Sequence, residues 1–258
     1  MAFHKPKQGM VFPDRLDVEI NKAQFTYYDR EKKERKVIAL PFKFVVLDTR
    51  FTIKGWSEPR KRSIISNEIE SFDETFRPFF QGNKNKQIKS EPLDDGRKGE
   101  LEGLWSEIKM LCQAQGAHLN TVLYGISESG KLLRVYLSGA PLSAWINKGF
   151  NHEIEQCGIQ VAAMNTYKNG QSTCCSPVFD KWELSEEMCA KATEESIALE
   201  KFFAEYKEFK ANKNKEKEPD PARDDDAHDK TLFDDPNDEL QEEYVTQGGE
   251  QREEEIPF

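Results

Sequence analysis

Residues 37–56 read VIALPFKFVVLDTRFTIKGW. Val, Ile, Phe and Thr crowd this stretch, and such side chains fit a pleated, half-buried surface better than a helix. From Arg50 onward the polar and apolar residues alternate. Arg50, Thr52, Lys54 and Trp56 fall to one side and Phe51 and Ile53 to the other, the period of a strand whose two faces differ. The stretch predicts one long strand or two consecutive ones, with Gly55 marking a bend or bulge. Strands of this kind are not stable alone, so the rest of the chain must supply partners and a cover.

Those partners are legible downstream. Ser63 to Ile69 reads as a further strand. TVLYGISESGKLLRVYLSG, residues 121–139, gives two strands around Glu128-Ser129-Gly130, a strong hairpin signal. Residues 160–167 and 173–182 give two more around the turn Lys168-Asn169-Gly170. Between these strands, Glu100 to Gln115 places Leu101, Leu104, Trp105, Ile108, Leu111 and Cys112 at helical spacing before Gly116, an amphipathic helix suited to covering a sheet. GNKNKQIKSEPLDDGRKG, residues 82–99, is polar and rich in turn formers, and reads as a loop.

Four pieces follow from this reading. Residues 1–36 form an arm or hairpin on the body, with the run DREKKERK from Asp29 to Lys36 as an exposed turn. Residues 37–184 are the folded body. Residues 185–212 are a helix, with Met188, Ala192, Leu199, Phe202, Tyr206 and Phe209 on one face, Ser196 as its polar member, and a docking role for that stripe. Residues 213–258 are too polar to repay their ordering entropy and are expected to be disordered. The fold class is mainly β with helices. An OB-type five-stranded antiparallel barrel with an inserted helix fits the element order, followed by the C-terminal helix and a disordered acidic tail.

Charge divides the same way. Residues 1–90 carry 19 Lys and Arg against 12 Asp and Glu, whereas residues 183–258 carry 10 against 25. A basic body with an acidic appendage points to a polyanion partner, to an interaction tail, or to both. No apolar run reaches the length of a membrane span, and MAFHKPKQGM lacks the apolar core of a signal peptide, so a cytoplasmic location and no membrane partner are expected. The five cysteines, Cys112, Cys157, Cys174, Cys175 and Cys189, include no C-x-x-C pair. Zinc through Cys174, Cys175, His152 and Cys157 matches no common spacing, and reduced thiols are the simpler reading, so neither metal nor cofactor is expected.

The last six residues are Glu253-Glu254-Glu255-Ile256-Pro257-Phe258. Three specified residues at a chain end coincide by chance about once in several thousand sequences at a background usage of ~5% each. This acidic segment closing on Ile-Pro-Phe resembles the tail of bacterial single-stranded-DNA-binding proteins, whose OB domain precedes a flexible acidic tail. Glutamates stand here where the family usually has aspartates, the body is larger, and the linker is rich in Lys and Glu. The resemblance implies a divergent, phage or bacterial form acting inside a bacterial cell. It also implies a partner-binding tip formed by Glu253 to Phe258, whose partners are replication, recombination and repair proteins; a homo-oligomer is left open.

The body offers residues suited to single strands, which need cations for phosphates and aromatic faces for bases. Arg50, Lys54 and Trp56 share one face of the first long strand. Arg60, Lys61 and Arg62 make a basic step beyond it, read as phosphate contacts. In the hairpin, Leu133, Val135 and Leu137 face inward, so Arg134 and Tyr136 face out, with Tyr124 of the partner strand beside them. Two readings stay open for several of these residues. Trp56 either stacks a base or plugs the barrel end, and Arg134 with Tyr136 either contact DNA or form a solvated face. Lys84, Lys86 and Lys89 either clamp a strand or keep a loop soluble, whereas Trp105, Trp145 and Trp182 are read as core.

An enzyme is not expected. His4, His118, His152 and His228 have no catalytic spacing, and no P-loop, H-E-x-x-H or G-x-S-x-G occurs. Asp224 to Asp226 lie in the polar tail, where they cannot hold the fixed geometry that a nuclease's metal needs. A recombination mediator or strand-annealing protein is the alternative within the binding class. Residues 219–258 carry 15 acids against 3 bases, so a tethered tail would compete with nucleic acid for the basic body.

Overall fold

The computed structural model describes residues 16–21, 23–29, 32–82, 90–93, 101–150, 158–169 and 172–215. Among these, eleven strands and three helices follow in the order β1 (Leu16–Asn21), β2 (Gln24–Asp29), β3 (Glu34–Ile38), β4 (Phe42–Ser57), β5 (Arg62–Ile65), β6 (Phe79–Phe80), β7 (Glu91–Pro92), α1 (Trp105–Ala114), β8 (Ala117–Ser127), β9 (Leu132–Leu137), α2 (Gly139–Asn147), β10 (Gly158–Asn169), β11 (Ser172–Trp182) and α3 (Glu186–Lys215). The fold is mainly β, and its pairings are antiparallel except for one.

Strand β4 organises the sheet. One edge pairs with β8 from Phe44 opposite Ser127 to Gly55 opposite Ala117. The other edge is divided, with Phe42 to Val45 on β10 and Lys54 to Ser57 on β5. The apolar run is therefore divided, Val37 and Ile38 ending β3 and Phe42 to Trp56 lying in β4, and the bulge of β4 lies between Val46 and Asp48 rather than at Gly55. Gly55 has a different role. A Cβ there would lie 2.1 Å from the Gly116 carbonyl oxygen, so its missing side chain lets β4 run close against the start of β8.

From β4 the path continues through β8 and β9 to β1, β2 and β3 on one side, and through β5, β6 and β7 on the other. The one parallel pairing is β1 with β9, from Leu16 opposite Leu133 to Glu19 opposite Tyr136. The path does not return on itself, so the sheet of the described residues is open. The DREKKERK run expected as a turn gives its last three residues to β3, and Lys33 turns the chain at φ 51°.

Three apolar clusters hold the layers together. The first gathers Phe25, Phe44, Leu123, Leu133, Val135, Leu137 and Phe179 around Trp145 of α2. Helix α2 was not legible in the sequence, because its nine residues place only Leu142 and Trp145 fully inward. The second cluster packs Trp105, Ile108 and Cys112 of α1 on Ile53, Ile64, Phe76 and Phe80. Helix α1 is shorter than expected at its start. The Glu107 carboxylate accepts the Leu104 N–H at 2.9 Å and fixes the entry to its first turn.

The third cluster lies on the opposite face of the sheet, where Ala192, Leu199 and Phe203 of α3 cover Val45, Val122, Tyr124, Ile126 and Tyr136. Ser185 starts this helix by accepting the Met188 N–H on its Oγ at 3.2 Å. The docking stripe keeps Ala192 and Leu199 of the expected one, with Met188 and Phe202 partly buried, and adds Phe203, which is buried more deeply than Phe202. The side chain of Phe209 lies outside the described residues. None of the described helices is long and apolar enough to cross a membrane.

Candidate nucleic-acid interface

Residues directly opposite one another on antiparallel strands point to the same face, so register alone lays out the face that α3 touches. Arg134, Tyr124 and Asp48 form one row across β9, β8 and β4. Tyr136, Val122 and Arg50 form the next, and Asn120 with Thr52 the one after. His118, Lys54, Ile65 and Phe79 continue across β8, β4, β5 and β6, with Trp56 opposite Ser63 beyond them. Arg50, Lys54, Trp56, Tyr124, Arg134 and Tyr136, taken from three strands by alternation, therefore share one face.

That face has two unlike halves. Around Lys54 the side chains are half-buried rather than fully covered. The Lys54 ammonium lies 3.5 Å from the centroid of the Tyr136 ring, and Trp56, Ile65 and Phe79 beside it are each half-buried. The Trp56 indole N–H is buried and finds no hydrogen-bond partner among the described residues, although the ring itself is not fully covered. The polar end of Trp56 thus points inward, while part of its ring keeps an outward surface.

The other half is covered. Arg50 is only 7% exposed; its Nε donates to Asp48 Oδ2 at 2.7 Å and its Nη2 to Glu70 Oε1 at 2.9 Å. The guanidinium carbon sits 3.3 Å from the centroid of the Phe203 ring. Tyr124 meets the same ring edge-on at 5.1 Å and donates its hydroxyl to Glu68 Oε2 at 2.6 Å. Arg134 Nη1 lies 3.4 Å from Glu68 Oε1. Arg134 and Tyr136 do point away from the inner core, as expected, yet both are buried, because α3 and the segment after β5 lie over them.

Glu68 and Glu70 were not singled out in the sequence. Ser63 to Ile69 reads as one strand, whereas β5 stops at Ile65 and Ser66 turns its Oγ to accept the Ile53 N–H at 2.8 Å. Ile69 then bridges Phe51 through paired backbone bonds of 2.9 Å. The detour carries the two carboxylates onto the sheet face. Lys207 of α3 donates to Glu70 Oε1 at 2.7 Å, and this bond, with Arg50 beside it, holds the Glu70 carboxyl below its usual range. Burial pushes the Asp48 carboxyl up, with Arg50 opposing the shift.

The basic step forms the connection from β4 to β5. Lys61 takes φ 50° and pairs with Glu58, while Arg60 and Arg62 both reach Glu91 of β7, at 3.3 and 3.0 Å. Arg62 also donates to the Gln81 carbonyl at 2.9 Å. Arg60 and Lys61 remain exposed, so the step keeps surface cations, whereas Arg62 is mostly structural. Trp105 and Trp145 are core, and Trp182 is half-buried with its indole N–H directed to the Phe44 carbonyl at 3.4 Å.

Among the described residues, no cluster of His, Cys, Asp or Glu is arranged to hold a metal ion. Lys84, Lys86, Lys89, His4, His152, His228, Cys157, Asp224 to Asp226 and the tip from Glu253 to Phe258 lie outside those residues. So does the stretch expected to be disordered, apart from residues 213–215, which continue the backbone of α3. Comparison with known proteins returns no match: no family model, no curated protein and no solved structure matches this chain.

Proposed function

We propose that this protein binds single-stranded DNA without strong sequence preference, through the outer face of β4, β8 and β9, and recruits replication, recombination and repair proteins through the segment Glu253 to Phe258. The observation that carries the reading is the Lys54–Tyr136 pair beside the half-buried Trp56 and Phe79, a cation and aromatic rings on one sheet face. Sequence-tolerant binding uses these groups, since each base stacked on an aromatic ring contributes about 1–3 kcal/mol and cations follow the phosphates. Arg60 and Lys61 extend the positive surface.

We read the architecture as OB-type. The shared long strand β4 pairs with both β8 and β10, as the first strand of such a barrel does, and β8 and β9 follow as the second and third. Helix α2, rather than α1, then falls between the third and fourth strands, and β10 with β11 completes the set. In this fold the face of the second and third strands carries oligonucleotides. The β1–β3 extension stands on the β9 edge, where the described sheet stays open.

The test is tryptophan fluorescence on titration with oligo(dT) and with duplex DNA, at low and high salt. The comparison is between the full chain and a chain ended after Lys215, which keeps α3. Quenching that prefers the single strand and weakens with salt is expected, and ending the chain at Lys215 should tighten binding at low salt by removing the competing acids. Weak, salt-insensitive binding with no preference for single strands would overturn the reading. Tighter binding by the full chain would overturn the competition.

A further inference from the structure

We propose that α3 is an intramolecular competitor that occupies half of the nucleic-acid face, so that a strand reaches Arg50 and Tyr124 only when the helix leaves. The proposal rests on the single-strand reading above and adds the regulation of that face.

The groups that cover this half are those a strand would bring. A nucleic-acid base would place a flat ring against a guanidinium and a tyrosine, and Phe203 does so, 3.3 Å from Arg50 and edge-on to Tyr124 at 5.1 Å. A phosphate would place an anion on each arginine, and Glu70 and Glu68 do so, at 2.9 Å from Arg50 and 3.4 Å from Arg134. The anion on Arg50 is shared with the helix, because Lys207 donates to the same oxygen, Glu70 Oε1, at 2.7 Å. A phosphate arriving at Arg50 would displace Glu70 and thereby weaken the tie that holds this part of α3.

The attachment of the helix is narrow. Among its described side chains only Ala192, Leu199 and Phe203 are buried, and Ile197 on the outer side is 62% exposed. Phe203 and the Lys207–Glu70 pair, with Phe202 packed beside them, hold the part that lies over Arg50. The two halves of the face then act in sequence. Lys54, Trp56 and Phe79 are half-buried rather than fully covered and receive the strand first, and the covered half is added at the expense of helix docking. A competitor of this kind lowers apparent affinity by the fraction of molecules in which it is undocked.

The experiment uses the full chain and fluorescently labelled oligo(dT). Affinity is measured for the wild type, Phe203→Ala, Lys207→Gln and the exposed control Ile197→Ala, and hydrogen exchange of residues 199–208 is followed with and without oligo(dT). Phe203→Ala is expected to bind about tenfold tighter as the undocked fraction rises, Lys207→Gln is expected to change in the same direction, and Ile197→Ala is expected to match the wild type. In the wild type, oligo(dT) should speed exchange in α3. If Phe203→Ala does not fold, Lys207→Gln and the wild-type exchange decide the matter. Strand binding that leaves α3 protected, or folded variants that bind no more tightly, would overturn the competitor while leaving the single-strand reading intact. Failure of every chain, wild type included, to bind oligo(dT) would overturn that reading and the proposal together.

Discussion

The hydroxyl of Tyr124 donates to Glu68 Oε2 at 2.6 Å, across 56 residues of sequence and across the width of β4. This bond, with Arg134 on the other carboxylate oxygen, anchors the segment after β5 to the middle of the sheet. Removing the hydroxyl in Tyr124→Phe should cost about 1.5 kcal/mol, the lower end for a hydrogen bond to a charged group, because Arg134 still pairs with Glu68. Urea denaturation of the two chains measures the difference.

Acidification should loosen α3. The Glu70 carboxyl is held below its ordinary 4.5 by Lys207 and Arg50. A depressed folded value means that the stabilising contribution is fully present above 4.5 and is lost as pH falls through the lower folded value. Asp48 has the opposite sign, since its raised folded value favours the protonated group, and its contribution is lost as pH rises. Glu70→Gln should therefore dock α3 less firmly at neutral pH and show less change between pH 6 and pH 3, as read by exchange of the α3 amides.

Gly55 should not tolerate alanine. The added Cβ would stand 2.1 Å from the Gly116 carbonyl oxygen and 2.4 Å from the Ala117 Cα, both of them backbone atoms that cannot turn away. Gly55→Ala should destabilise the fold by about 3 kcal/mol or more, at the upper end for overpacking. Thermal unfolding followed by circular dichroism tests this.

On the open half of the face, Trp56→Ala should weaken oligo(dT) binding by about 1–3 kcal/mol through lost stacking. Lys54→Gln should instead lower the slope of log affinity against log salt by about 0.7, the share of one phosphate on a single strand. Unchanged affinity and slope in both variants, at wild-type stability, would remove this half from the binding path.

The thiols should separate by reactivity. Cys112 of α1 is buried in the cluster that α1 forms on the sheet, and desolvation pushes its thiol up to about 11, whereas Cys189 is exposed on α3. In the native protein an aromatic disulfide reagent should label Cys189 readily and leave Cys112 until the chain is unfolded, because the thiolate is the attacking species. Peptide mapping after labelling distinguishes them.

What the sequence carried was local. Alternation from Arg50 to Trp56 and from Leu133 to Leu137 assigned residues to faces, because side chains on a strand alternate with a period of two whatever the partner is. Helical spacing likewise located α1 and α3, and the turn residues located the hairpins. The cover of each face was not local. Phe203 lies on Arg50 from more than 150 residues away, and no spacing rule links them. Glu68 and Glu70 read as strand residues until Ser66 turned its hydroxyl to the Ile53 N–H and carried them over the sheet. Helix α2 has no periodic signal, because only two of its nine residues point fully inward. The sequence by itself determined the long strands, the faces of β4 and β9 and the acidic composition of the segment after α3. Only the tertiary structure decided which half of the basic face stays open, because burial depends on what packs above a side chain and not on the neighbours beside it in the chain.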